Sequence, residues 1–258
     1  MKADTVDLQV KQSGPLKARA FGFQFNAQMA DALSKKIYTK PVLAVVREYM
    51  CNAYDAHVEN GVPEEPIKVV LPNKMSPYWS VRDHGRGLSV VEIMGDDEEG
   101  GLFNTYGKSG KNHTNNQIGG FGMGSKAGFA YVELGGNFTV TSWVGGVQST
   151  YACHKDEDGI PAVTLMSQVN STAVNGIEIK IPVKMQDVDT FRNYTEDISR
   201  YLGVAPDVSG NSDYKLFRPS YSLTNGTWGL RNESQTGYQS RHRHEFNIIM
   251  GGVAYPVD

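Results

Sequence analysis

Between Pro41 and Gly61 the apolar positions Val42, Val45, Val46, Tyr49 and Ala53 recur at the spacing of one helix face. Pro41 suits a first helical position and Gly61 a stop, so the pattern predicts a helix over 41–59. A second stripe runs along it. Glu48, Asn52 and Asp55 stand at i, i+4 and i+7, and their side chains share a face. A solvated face would explain three polar residues. The neighbouring Met50, Cys51, Tyr54 and Ala56 leave little of this helix for water, however. Buried acids need partners. No Lys or Arg lies within helical reach of Asn52 or Asp55, so a bound ligand or metal is the candidate partner.

The same reading along the chain predicts an early edge strand or arm at 19–25 and a first helix at 27–36. Strands follow at 67–72 and 78–85, then a short helix at 89–95 with Ser89 as its N-cap. Residues 95–118 are polar and glycine-rich, and a loop of that length is expected to act as a lid. A glycine cluster opens a helix at 125–134. Alternating strands are predicted at 137–144, 147–153, 162–169 and 176–183, and a closing helix at 188–203 with Gly203 as its stop. Helices plus a meander-like mixed sheet make an α+β class, not a doubly wound one. From 204 the pattern is less regular and ends on strand-like residues 246–258. The expected organisation is therefore one domain over 1–203. Residues 204–258 would form an irregular tail and the start of a following domain, the whole being a fragment of a longer chain.

Composition narrows the classes. The 258 residues are 40% hydrophobic and 21% charged, as in ordinary globular domains. A net charge of −3 without a basic run offers no nucleic-acid footprint. The two cysteines, Cys51 and Cys153, suggest no disulfide framework, which fits a reducing compartment. The first residues lack the apolar core of a signal peptide, and no run of about 18 apolar residues could span a membrane.

Three motifs carry the chemistry: Glu48-x-x-x-Asn52-x-x-Asp55-Ala56; Asp83-x-Gly85-x-Gly87 after a strand; and Gly119-x-x-Gly122-x-Gly124 before a helix. Each alone is weak. In this order they resemble the N box and two glycine boxes of the GHKL ATPases, the family of gyrase, Hsp90, histidine kinases and MutL, over about residues 20–183. "YGKSGK" and "IGGFGMGSKAGFAYV" are similar to the Hsp90 lid and glycine box, and "NGIEIKIPV" to the strand closing the nucleotide pocket. Closer still, "AVVREYMCNAYDAHVENG", "VRDHGRGLS", "GDDEEGGLFNTYGKSGK" and "IGGFGMGSKAGFAY" resemble the N-terminal domain of the phage rIIA lysis-inhibition family.

The resemblance implies a Bergerat-type two-layer sandwich with a mixed sheet and a nucleotide lid, binding ATP and Mg²⁺. It implies Glu48 as the catalytic residue that orients water, and Asn52 as the Mg²⁺ ligand beside Asp55 and Ala56. Asp83, with Gly85, Gly87 and Leu88, would receive adenine. The phosphates would meet Gly119, Gly120, Phe121, Gly122, Met123, Gly124, Ser125 and Lys126, with Lys108 and Ser109 from the lid. Ile177 stands where Hsp90-like members carry a threonine that helps bind adenine, which leaves Asp83 more of the selectivity. The physical chemistry agrees. Glycines let backbone N–H groups approach phosphate, a carboxylate accepts from an exocyclic amine, and Mg²⁺ takes few protein oxygens.

The rIIA likeness further implies a phage protein in the host cytoplasm, acting in lysis inhibition or superinfection. It would have an rIIB-like partner, peripheral host-membrane association and a nucleotide-dependent homodimer. A non-hydrolysing ATP sensor is the rival, and Glu48 favours hydrolysis. "GLFNTYGKSG" is no P-loop, because five residues, not four, separate Gly101 from Gly107.

Overall fold

Pro41 sets φ at the first position of helix α1 (Pro41–Glu59), where its missing N–H costs nothing. The expected boundaries hold. Val45, Val46, Tyr49, Met50 and Ala53 are buried, and so are Asp55 and His57 near its end. The computed structural model describes residues 39–96, 98–105, 124–225, 228–231, 246–250 and 253–257. The arm expected at 19–25 and the helix expected at 27–36 lie outside the described residues.

Strands β1 (Lys68–Val70), β2 (Tyr78–Arg82), β3 (Asn137–Val144), β4 (Val147–Lys155), β5 (Pro161–Asn170), β6 (Gly176–Pro182) and β7 (Asp207–Ser209) form one sheet in the order β5-β4-β3-β6-β2-β1-β7. Every pairing is antiparallel except β1 with β7. The mixed α+β sheet was expected, although β7 lies beyond residue 203, in the stretch read as irregular tail. Period-two burial explains the layering. Phe138 and Val140 on β3, Trp79 and Val81 on β2, and Ile179 and Ile181 on β6 join the residues of α1 in one core. Helices α2 (Val90–Met94), α3 (Ala127–Tyr131) and α4 (Val188–Ser199) complete the helical layer. Trp79 is fully buried and donates from Nε1 to Thr195 Oγ1 at 3.1 Å, which ties the sheet to α4. Truncating such a residue costs about 3–5 kcal/mol. Two further hairpins, β8 (Tyr221–Thr224) with β9 (Gly229–Arg231) and β10 (Phe246–Met250) with β11 (Val253–Val257), form separate two-stranded sheets.

Three expectations need correction. The helix predicted over 125–134 is a 3₁₀ turn, Gly124–Lys126, followed by the short α3, because Val132 turns extended. The closing helix stops at Ser199, with Arg200 at its end. Gly203 instead lies against the Tyr54 hydroxyl, which a Cβ there would push aside. The loop read as a lid is folded at its start. Ser89 and Glu92 form a reciprocal capping box on α2. Phe103 is buried, and the amides of Leu102 and Phe103 donate to the Glu92 and Ile93 carbonyls. The rest of the expected lid, 106–118, lies outside the described residues. Among the described residues no helix is long and apolar enough to cross a membrane.

Candidate functional site

Asp83 follows the last residue of β2 and is 6% exposed. Its Oδ1 accepts from the amides of Gly85 at 2.8 Å and Ile177 at 3.1 Å. Its other oxygen, Oδ2, receives no hydrogen bond from the described residues. Burial pushes the carboxyl above its usual range, against the two amides and the charge of Arg82, which pull it down. This end of the pocket thus holds a carboxylate fixed by one oxygen and open at the other. Gly176, at φ +140° before Ile177, must be glycine, since a Cβ would stand 2.1 Å from the Asp83 carbonyl.

The turn after Asp83 packs on α1 and on β3. A Cβ on Gly85 would meet Ala56 Cβ at 2.8 Å, so the first two motifs touch at that pair. Gly87 has φ +77° and leaves no room for a Cβ against the Trp143 carbonyl at 2.2 Å. Leu88 donates to Ser142 Oγ at 2.8 Å, and Ser142 Oγ donates back to the Leu88 carbonyl at 2.7 Å.

One and two turns earlier on α1, Asn52 and Glu48 meet the end of the third motif. A Cβ on Gly124 would lie 2.7 Å from Glu48 Oε2 and 3.4 Å from Asn52 Nδ2. Glu48 Oε1 accepts from Arg47 Nη2 at 2.8 Å and Nε at 3.2 Å. Asp55, between the two ends, is 5% exposed. Ser125 Oγ donates to the Leu102 carbonyl, so the folded start of the loop and the end of the glycine motif share an anchor. Lys126 is 2% exposed, and burial brings its ammonium down to about 8. Lys108, Ser109, Gly119, Gly120, Phe121, Gly122 and Met123 lie outside the described residues.

Tyr49 escaped the sequence reading. Its hydroxyl donates to the Ser125 carbonyl at 3.0 Å and accepts from the Gly128 amide at 2.8 Å, which pins the turn after the glycines onto α1. Its position in the apolar stripe gave no sign of this. Ser142, with its two bonds to Leu88, was equally silent inside an alternating strand. Among the described residues, no cluster of three or more His, Cys, Asp and Glu could by itself hold a metal ion. Beside Gly124 stand the Glu48 carboxylate and the Asn52 amide, which turns its nitrogen to the glycine; its Oδ1 is the atom a hard cation would take, with the remaining oxygens from a ligand and water.

Residues 38–195 match the family described as "Histidine kinase-, DNA gyrase B-, and HSP90-like ATPase". The match spans more than half of the chain, and the chain belongs to this family, with a GHKL-type, ATP-binding ATPase domain. Among solved structures it is similar to the ATPase region of Saccharomyces cerevisiae topoisomerase II bound to ICRF-187 (dexrazoxane), at 14% identity and a TM-score of 0.50. That likeness covers 68% of this chain and 49% of the other, so the chain spans about half the length of that structure. At this identity the likeness shows the fold alone. No curated protein matches the chain.

Proposed function

We propose that this chain binds Mg²⁺–ATP along α1 and hydrolyses it slowly, driving a conformational switch. One observation carries the reading: a single helix brings Glu48 and Asn52 to Gly124 and Ala56 to the Asp83 turn. Asp83 Oδ2 accepts from the exocyclic amine of adenine, over a floor made by Gly85, Gly87 and Leu88, with Ile177 beside it. Gly124 and Ser125 stand at the phosphate end with Lys126. Gly119, Gly120, Phe121, Gly122 and Met123, and Lys108 and Ser109, join them on the strength of sequence alone. Asn52 would hold Mg²⁺, which neutralises phosphate charge when bound. Glu48 orients a water and takes its proton as oxygen bonds to the γ-phosphorus and the bond to the ADP oxygen breaks. The products are ADP and inorganic phosphate.

The quoted stretches support placing the chain with the phage rIIA-like proteins. That reading gives it a role in lysis inhibition or superinfection in the host cytoplasm. An rIIB-like partner and peripheral membrane association follow from the same likeness, and a nucleotide-dependent homodimer from the switch that ATP drives. The less regular sequence after residue 203 supports an ATP-binding domain over 1–203 with a following region over 204–258, although β7 at Asp207–Ser209 still pairs with β1 in the first domain's sheet.

One observation favours a second reading, an ATP sensor without turnover. Arg47 already engages Glu48 Oε1 and competes with water for it. Single-turnover phosphate release from Mg²⁺–ATP separates the two. Release that exceeds the uncatalysed rate and stops in the Glu48→Gln variant supports the enzyme. Tight ATP binding with no release supports the sensor.

A further inference from the structure

Both backbone hydrogen-bonding groups of His84 end on the C-terminal turn of α1 and its cap. The His84 amide donates to His57 Nε2 at 2.7 Å, and its carbonyl accepts from Asn60 Nδ2 at 3.1 Å. The His57 side chain is fully buried, and its Nδ1 lies 3.0 Å from the Glu65 carbonyl. A carbonyl can only accept and an amide N–H can only donate. These partners therefore assign a neutral ring with its proton on Nδ1. The His84 amide belongs to the same peptide unit as the Asp83 carbonyl, against which Gly176 is pressed. That peptide is held by His57 from one side and hemmed in by β6 from the other. The Asp83 carboxylate, tied by Oδ1 to the next amide but one, takes its position from it.

We propose that His57 is a positioning residue for the adenine-binding carboxylate: its neutral ring holds the Asp83–Gly85 turn, and a proton on Nε2 releases it and weakens nucleotide binding in acid. The role rests on the reading of Asp83 as the adenine acceptor. A protonated ring has two donors and no acceptor, so Nε2–H would face the His84 N–H, donor against donor, in a buried place. The groups around the ring come from every side. Asp55 and Glu59 share its helix. Glu65 approaches from the following loop, with its carboxylate 3.3 Å from His84 Nδ1. The end of β2 brings Asp83, Arg82 and the His84 ring, stacked on His57 at 5.7 Å between centroids. Lys68 on β1 and Arg82 both act on the His84 ring, which burial holds below its ordinary range. Glu65 draws a proton toward the His84 ring, and Lys68 and Arg82 oppose it.

Asp83 itself loses charge in acid and Lys126 gains one as pH falls through about 8, so the parent's profile contains several protonations, of which His57→Gln removes one. The test is calorimetric ATP affinity from about pH 8 to about pH 5.5 for the parent, His57→Gln and His57→Ala. The His84 amide resonance is followed through the same range. His57→Ala orphans the His84 N–H and should lose on the order of tenfold in affinity at the alkaline end. In His57→Gln the amide oxygen can accept from that N–H. It should restore most of the affinity and show a shallower acid loss, with a His84 resonance that no longer follows pH. A parent and His57→Gln with the same profile, or His57→Ala with parental affinity, overturns the role of His57 alone. A parent that binds no ATP at any pH overturns the nucleotide reading and this role with it.

Discussion

Helix α1 meets the candidate pocket at two ends, and it does so differently. At the Asp83 end the contacts are backbone groups: the amides of Gly85 and Ile177 on one carboxylate oxygen, and the His84 peptide on His57 and Asn60. At the Gly124 end Tyr49 likewise holds backbone groups, of Ser125 and Gly128, but Glu48 is held through a side chain alone. Glu48 is partly exposed and divides its two oxygens between Arg47 and Gly124. Backbone contacts fix one arrangement before any ligand arrives, which suits recognition. A side chain with an alternative partner can be redirected, which suits a step that must wait for the whole site to assemble.

The largest effect should fall on the adaptable end. Glu48→Gln keeps the shape but cannot take a proton, so turnover should drop about 10²–10⁴-fold while ATP affinity stays near parental. Phosphate release and calorimetry on the same preparation check both halves. Next comes Lys126. A lysine held down to about 8, from 10.5, gives stability that is present above the ordinary value and lost as pH falls through about 8. At pH near 7 the buried ammonium therefore costs stability, on the order of 3 kcal/mol for a shift of that size. Lys126→Met should melt higher than the parent at neutral pH without nucleotide, and the difference should shrink toward about pH 10.5.

On the fixed end, Gly176→Ala forces a Cβ at φ +140° against the Asp83 carbonyl. It should cost about 1–3 kcal/mol in urea denaturation and weaken ATP binding as well. The smallest effect belongs to neither end. Ser89→Ala removes the cap of α2, which is worth about 1 kcal/mol, and should leave ATP affinity unchanged.

The sequence was most legible where the signals are local. Pro41 and the 3.6-residue stripe delimit α1, period-two alternation delimits β3, and Ser89 opens α2. It misled where a distant group decides. Gly203 looks like a helix stop until Tyr54 is placed against it, and Phe103, beside Leu102 in a mostly polar stretch, anchors what composition presents as a loop. The N box and the Asp83 turn were readable because their chemistry needs particular residue types at fixed spacing. Tyr49 and His57 were not, because their partners are backbone groups 76 and 27 residues away, and a backbone group leaves no mark in a sequence. The burial of Lys126 was hidden for a related reason, since side-chain type alone argues for exposure.

The central claim is that Asp83 presents an acceptor to adenine. Asp83→Asn offers the test because the amide oxygen can still accept from Gly85 and Ile177, so the turn should survive. Burial raises the folded carboxyl, so its contribution to stability is present below the unfolded value and lost as pH rises through the folded one. The variant should therefore be at least as stable as the parent at neutral pH without nucleotide. Its amide, however, points a donor at the adenine amine, and loss of that bond should weaken ATP by about 1–3 kcal/mol. Titrating Mg²⁺–ATP into both proteins by calorimetry, with melting curves taken alongside, gives the answer. A stable variant with weakened ATP binding is the predicted result, and a stable variant that binds ATP as tightly as the parent contradicts the account.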